Sequence, residues 1–566
     1  MGMSMKRFLN EARVFDSTNV LHYIGEISQF HRIQGSKELP EAVRFIREEL
    51  QIWGVNAKLF EESYDGESWF LTLKSPIAWD LIHGRVEVLG DTLTTSQSPL
   101  VVMAHSPSGR AEGEVVHILR EEDWEKAEGK IVLVGREWHD AYRKANGAGA
   151  KAFIAYREGT GNAIPYIGLF LTKDELEWAK IPAVAIPENL AKGIINKLAS
   201  GETVKAKIEV ETKINERQVL PILYAEIGKP PFMLFTAHIC HPKPGANDNA
   251  SGSAMLIELA RVLSRLYDDS FRFGFAFLWI PEYYGTQAFI EKYARLDNYY
   301  VVINLDMVAG SEDRAGSTVM LVRTPASRFS VVSGILEYFL ELANGAGKSF
   351  SGNPLPRLRF RSYPYEMGSD HDVFNFFGVP SVMPITWPDR FYHSSEDTVE
   401  KVSRESIEVI GRAVLATALA LAKAEKEELQ RFARGYAMKY LGELGRDRDT
   451  HRIERLVMTG LARDSRFLGI ESGHEFERAP WLKWVRKGRV STELIKEASK
   501  EAYKEFRELT KDRKILVYLH ELMMLGELLP KEQSFEALEE EFGEVDREKL
   551  EKLVELLEKT GVIELL

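Results

Sequence analysis

Residues 233–252 read MLFTAHICHPKPGANDNASG, and how this stretch divides decides the fold. The run Met233–Ala237 ends in His238. Pro242, Pro244 and Gly245 mark a loop, and Asn247-Asp248-Asn249 leads to a helix start. A short apolar run bounded by turn residues reads as a buried strand, with the Pro/Gly cluster as the turn beyond its carboxyl end. Ser251 can cap a helix in which Met255, Leu256, Leu259, Val262 and Leu263 recur at helical spacing. Strand, polar loop and helix in that order put His238 and Asp248 in the crevice beyond the strand ends, where open α/β sheets keep their sites. Alone, such a pair reads equally well as a surface turn or as half of a divalent-metal site.

The surrounding chain supports the α/β reading. Strands are expected at 219–226, 233–237, 272–280, 300–306, 317–323 and 381–385. Helices are expected near 253–268, 286–296, 326–346, 370–377 and 402–425. Near-continuous apolar strands alternating with helices imply a mixed, largely parallel sheet sandwiched by helices. Upstream, residues 16–54 read as two helices, and β-like runs such as 68–73 and 85–89 follow. Residues 98–212 form a separate β/α unit with its own apolar runs and no catalytic cluster of its own. Beyond Lys423 the chain is Glu/Lys/Arg-rich and helical, with helical patterns at 515–525, 534–542 and 546–559 and a short apolar tail at 562–566. The expected division is 1–97 with 213–425 as one domain, 98–212 as an insert, and 426–566 as a helical region ending in a winged-helix-like module at 514–566.

Composition narrows the function. The chain has 566 residues, 45% hydrophobic and 28% charged, with a formal net charge of −12. It is long enough for several cores, and its acidic balance and Glu-dense tail disfavour nucleic acid. Cys240 is the single cysteine, so no internal disulfide can form and a reducing, cytoplasmic setting is expected. No apolar run approaches the ~18 residues of a membrane span. A homo-oligomer is left open.

Reading outward from His238 and Asp248, further strand ends deliver Glu282, Asp306 and His393. One charged residue at a strand end is ordinary; four successive connections each bringing a His, Asp or Glu to one edge is a zinc-type ligand set with an acid to spare. Asp248 would bridge two ions, His238 and Asp306 completing one site and His393 serving the other. The metal lowers the pKa of a bound water toward ~7, and Glu282 would act as general base, passing its proton to the leaving amine.

His238, Ala246–Gly252, Glu282 with Gly285, Asn304-Leu305-Asp306, Ser369-Asp370-His371 and Tyr392-His393-Ser394 with Asp397-Thr398 resemble the M28 family of zinc aminopeptidases. Residues 30–36, Phe-His-Arg-Ile-Gln-Gly-Ser, and the helix after them are similar to its amino-terminal segment. Residues 98–212 resemble the protease-associated domain often inserted in these enzymes. The resemblance implies a zinc-exopeptidase fold, peptide substrates, His238, Asp248, Asp306 and His393 as metal ligands, and Glu282 as general base. Zinc is the implied metal, as one ion or two, with cobalt or manganese as alternatives. Two departures stand out: Cys240 and His241 replace the family's His-x-Asp continuation, and Tyr283 stands where a second, metal-binding Glu is usual. His-x-Cys-His-Pro occurs in a subset of the family. Cys240 or His241 is therefore expected as an extra ligand or support. Tyr283, Asp370 and His371 are expected near substrate or its oxyanion. The missing Glu keeps a carboxypeptidase or a glutaminyl cyclase-like enzyme open as alternatives on the same fold, and a non-catalytic binding protein as a third.

Overall fold

Strands β1 (Ala57–Tyr64), β2 (Gln218–Ile227), β3 (Phe232–His238), β4 (Gly274–Ile280), β5 (Tyr299–Asn304), β6 (Thr318–Val322), β7 (Phe360–Tyr363) and β8 (Ser381–Trp387) form one sheet in the order β1-β2-β4-β3-β5-β8-β6-β7. The computed structural model describes residues 5–566, with only the backbone of 346 and 347. Strands β4, β3, β5 and β8 run parallel at the centre, while β1, β2 and β6 pair antiparallel toward the edges. Every residue of β3, β4 and β5 is buried, which is why these segments read as unbroken apolar runs rather than alternating ones.

Helices α1 (Ser17–Ile27), α2 (Glu38–Ile52), α3 (Gly252–Leu266), α4 (Tyr284–Lys292), α5 (Val331–Ala343), α6 (His371–Phe376) and α7 (Arg404–Lys423) cover the sheet. The apolar face expected of α2 is buried through Val43, Ile46 and Leu50. The buried indole of Trp279 in β4 donates to the Ser253 carbonyl at 3.1 Å, pinning α3 to the sheet.

A second, seven-stranded sheet stands between β1 and β2. It is built from Ala78–Val88, Asp91–Thr94, Gly109–His117, Ile131–Val134, Ala152–Ala155, Ala183–Ala185 and Lys205–Asn215. It begins at Ala78, not at the expected residue 98, because Ala78–Val88 pairs along nearly its whole length with Lys205–Asn215. The insert therefore takes in residues that the sequence reading left with the first domain.

The carboxy-terminal region does not stand apart. Its buried side chains join the same apolar core as the large sheet. Three terminal helices, Lys514–Gly526, Lys531–Phe542 and Arg547–Lys559, match the expected pattern. The tail strand Ile563–Leu565 pairs with Leu482–Trp484. Buried Glu521 accepts from the Ser327 amide and hydroxyl at 2.9 and 2.7 Å, and buried Asp464 accepts from the amide of Val331 at 2.7 Å. No helix among the described residues is long and apolar enough to cross a membrane.

Candidate metal centre

The four parallel strands end at one edge of the sheet, and each delivers a ligand-type group there. His238 is the last residue of β3. Glu282 and Asp306 each follow a strand, β4 and β5, by two residues, and His393 lies in the loop after β8. Asp248 projects from the turn Ala246–Ser251 that opens α3. Residues separated by up to 155 positions thus meet within a few ångströms.

The Asp248 carboxylate divides the centre. Its Oδ1 lies 3.4 Å from His238 Nε2, which is also 3.4 Å from Asp306 Oδ2. Its Oδ2 lies 3.0 Å from His393 Nε2 and 3.4 Å from His241 Nε2. Two donor sets result: His241, Asp248 and His393 on one side, His238, Glu282 and Asp306 on the other, the donor atoms of each set within 4.8 Å of one another. His241 therefore occupies the side that Tyr283 leaves short of a carboxylate. The residues fit a cation on physical grounds. Asp306 Oδ1 and His241 Nε2 are buried without a hydrogen-bond partner, and a buried polar atom in that state is costly unless a cation satisfies it. Burial pushes Glu282 up to about 8, His238 opposing and the Asp370, Asp306 and Asp248 carboxylates adding to it. A bound cation reverses that repulsion.

The imidazoles are oriented from behind, as ligands need to be. His238 Nδ1 lies 3.1 Å from the Cys240 carbonyl, and His241 Nδ1 2.8 Å from that of Pro242. The Cys240 thiol belongs to neither donor set. It accepts from the Glu282 amide at 3.1 Å and so helps place the carboxylate. Buried Asp397 accepts from the amides of Asn247 and Asp248 at 2.8 and 3.0 Å, fixing the Asp248 turn. The Asn249 amide group donates to His238 and Leu305 carbonyls at 3.2 and 2.9 Å and accepts from Gly252 and Met307 amides at 3.0 and 3.1 Å, tying the loops after β3 and β5 together. Gly245, at φ +52°, is required, because a Cβ there would collide with the His241 ring and the Asp248 carbonyl.

Arg32 is the largest support that sequence reading did not single out. Fully buried, it donates to the carbonyls of Ile239, Ile27, Phe30, Pro244 and Gly245 at 2.8 to 3.3 Å, and its own carbonyl accepts from His241 N. It clamps the loop that carries His241. Arg32→Met is expected to lower stability by about 3 kcal/mol or more, since several buried carbonyls lose a charged donor. Chemical denaturation, with zinc titration of the folded variant, measures both losses.

Three expected site residues take other roles. Tyr283 adopts φ +59° and its hydroxyl donates to Asp372 at 2.6 Å. The Arg489 guanidinium, from the carboxy-terminal region, lies 4.2 Å from its ring. Asp370 accepts from the Tyr283 amide at 2.8 Å and from the Thr286 hydroxyl, capping α4 rather than its own helix. His371 is buried, with Nε2 2.8 Å from the Glu366 carbonyl. None of the three lines either cavity at the centre.

Those two cavities flank the centre and share His238, Asp248, Glu282 and His393. One, of about 460 Å³, is walled by Met307, Met320, Met367, Met383, Ile385 and Trp387, with Glu366 among its polar groups. The other, of about 270 Å³, is closed by the insert through Trp138, Arg157, Tyr166 and Phe170. The insert thus reaches the centre, although it holds no donor group of its own among the described residues. Its Tyr166 amide donates to the His393 carbonyl at 2.7 Å, and its ring lies 5.1 and 5.0 Å from those of His241 and His393. Tyr392 stacks on His393 with centroids 3.7 Å apart.

The layered α/β fold that carries this cluster has counterparts among known proteins. Residues 224–418, about a third of the chain, match the model of Peptidase family M28. Aminopeptidase YwaD of Bacillus subtilis (strain 168) is 26% identical over 320 residues, which span 53% of this chain and 64% of that protein. The fold is shared with BSAP, a zinc aminopeptidase from Bacillus subtilis, at TM-score 0.52 and 20% identity over 73% of this chain and 96% of that one. It is shared also with a peptidase M28 precursor from Shewanella amazonensis SB2B, at TM-score 0.54 and 16% identity over 74% and 97%.

Proposed function

We propose that the protein is a zinc-dependent aminopeptidase that releases amino-terminal residues from peptides. The observation that carries this reading is the Asp248 carboxylate set between His238 on one side and His393 on the other, with Glu282 grouped with His238 and Asp306. The match to family M28 and the relatives named aminopeptidase support the direction of cleavage. On this reading His238, Asp248 and Asp306 hold one zinc, and Asp248, His393 and His241 hold a second, His241 standing in for the absent Glu.

Zinc bound there supplies a Lewis acid that polarises the scissile carbonyl and makes a water acidic near neutral pH. The chain's residues do the rest. Glu282, half-buried in the wall common to both cavities, takes the proton of the attacking water and hands it to the leaving amine nitrogen. Ser369 donates to Asp306 Oδ2 at 2.6 Å and keeps that carboxylate facing the centre. The methionine-walled cavity receives an apolar side chain, and its flexible thioethers let it adapt to several.

The insert fills the role of a protease-associated domain on this reading, closing the site from above, and the terminal module, winged-helix-like in element order, acts in packing rather than on nucleic acid. One cysteine in 566 residues favours a reducing compartment, the cytoplasm. The test is release of leucine from leucine anilide and short peptides with zinc added. An acetylated amino terminus is expected to abolish turnover; its persistence would favour a carboxypeptidase instead. His241→Ala is expected to bind one zinc per chain where the native protein binds two, as read by metal analysis after gel filtration.

A further inference from the structure

Resting on the aminopeptidase reading, we propose that Arg157 forms a carboxylate-binding subsite for the residue after the scissile bond, which makes the enzyme selective for dipeptides. The insert carries Arg157 to the wall of the smaller cavity, beside His393. Its guanidinium donates to the carbonyls of Tyr166 and His393 at 3.0 and 3.4 Å. A guanidinium has five N–H donors, so several are left over. Among the described residues no carboxylate pairs with it; the ionisable groups that act on it are the phenols of Tyr392 and Tyr166. The Trp138 ring, 5.3 Å from its Cζ, holds the fork in place. A half-buried cation without an anion, in a cavity that ends in a hydrolytic centre, is what a substrate carboxylate would neutralise, in the bidentate geometry that arginine favours.

The two cavities give the direction. The larger, walled in part by methionines, carries half-buried Glu366, whose carboxylate has no ion pair among the described residues and suits a substrate ammonium; the Arg361 guanidinium at the same wall is exposed and lies 5.1 Å from the Tyr363 ring. The smaller carries the unpaired guanidinium. A free peptide has its ammonium at one end and its carboxylate at the other, so the two half-buried charges, Glu366 and Arg157, stand in the same sense as a bound dipeptide. Size agrees. At about 270 Å³ the Arg157 cavity is below the roughly 300–1,000 Å³ of sites for drug-sized ligands. It admits a short leaving group.

The carboxylate could also come from an acidic side chain, so the zinc-loaded full chain is tested on Leu-Gly, Leu-Gly amide and Leu-Asp amide. The native enzyme is expected to prefer Leu-Gly over Leu-Gly amide in kcat/KM by about tenfold or more, the size of a partly buried charge-assisted contact. That ratio is expected to approach one in Arg157→Gln and to be partly kept in Arg157→Lys. Because it compares two substrates of one protein, it does not depend on how much activity a variant keeps. Leu-Asp amide matching Leu-Gly would assign the subsite to acidic side chains and overturn the dipeptide selectivity. Equal turnover of Leu-Gly and its amide by the native enzyme would overturn the subsite and leave the aminopeptidase reading standing. Turnover of neither would overturn both.

Discussion

Asp248→Ala is expected to leave a folded chain that binds less than one zinc and hydrolyses leucine anilide at least about 10⁴-fold more slowly than the native protein, since metal sites depend on ligand count and geometry. The size of the loss follows from where the carboxylate stands. One oxygen lies 3.4 Å from His238 and the other 3.0 and 3.4 Å from His393 and His241, so on the proposed ligation a single substitution removes a ligand from both zinc sites. It also removes the group that faces three imidazoles. Burial works against the carboxylate's charge, yet His241, His238 and His393 outweigh it and hold Asp248 well below the usual carboxylate range. Metal analysis and circular dichroism together check the result. Full zinc content in this variant would show that the two sets do not share Asp248.

Glu282→Gln tests the chemistry rather than the binding. The amide keeps the size of the side chain, and the backbone bond from residue 282 to Cys240 Sγ is untouched. Zinc content is expected to stay native while kcat falls by roughly 10²–10⁴-fold, the range of a positioned general base, with KM little changed. Glu282 also lies within donor distance of His238 and Asp306. Loss of one zinc from the variant would therefore reassign this residue from proton carrier to ligand.

The central sheet was legible because β3, β4 and β5 are buried along their whole length and Thr236 is the one polar residue inside these runs. His238, Asp306 and Glu282 follow from those strands, since a polar residue just past a buried parallel strand arrives at the carboxyl edge. What the residues alone could not order was the neighbourhood of Cys240 and His241. The loop there turns through Pro242, Pro244 and Gly245, and the clamp from Arg32, more than 200 positions upstream, holds it where the His241 ring faces Asp248. Edge strand β7, Phe-Arg-Ser-Tyr, escaped because half-exposed polar residues leave no period. The insert's share in the site escaped for a different reason. Tyr166 and Arg157 lie in a loop with no ligand pattern of its own, and they matter only because the second sheet packs them over His393. The insert's starting point was misread because Ala78–Val88 shows its partner, Lys205–Asn215, only in three dimensions.

Anomalous diffraction from zinc-loaded crystals addresses the shared carboxylate most directly. Two zinc peaks are expected, one among His238, Asp248 and Asp306 and one among Asp248, His241 and His393, about 3.5–4 Å apart as in other two-metal sites. A peak outside these residues, or no zinc at this edge of the sheet, would contradict the account.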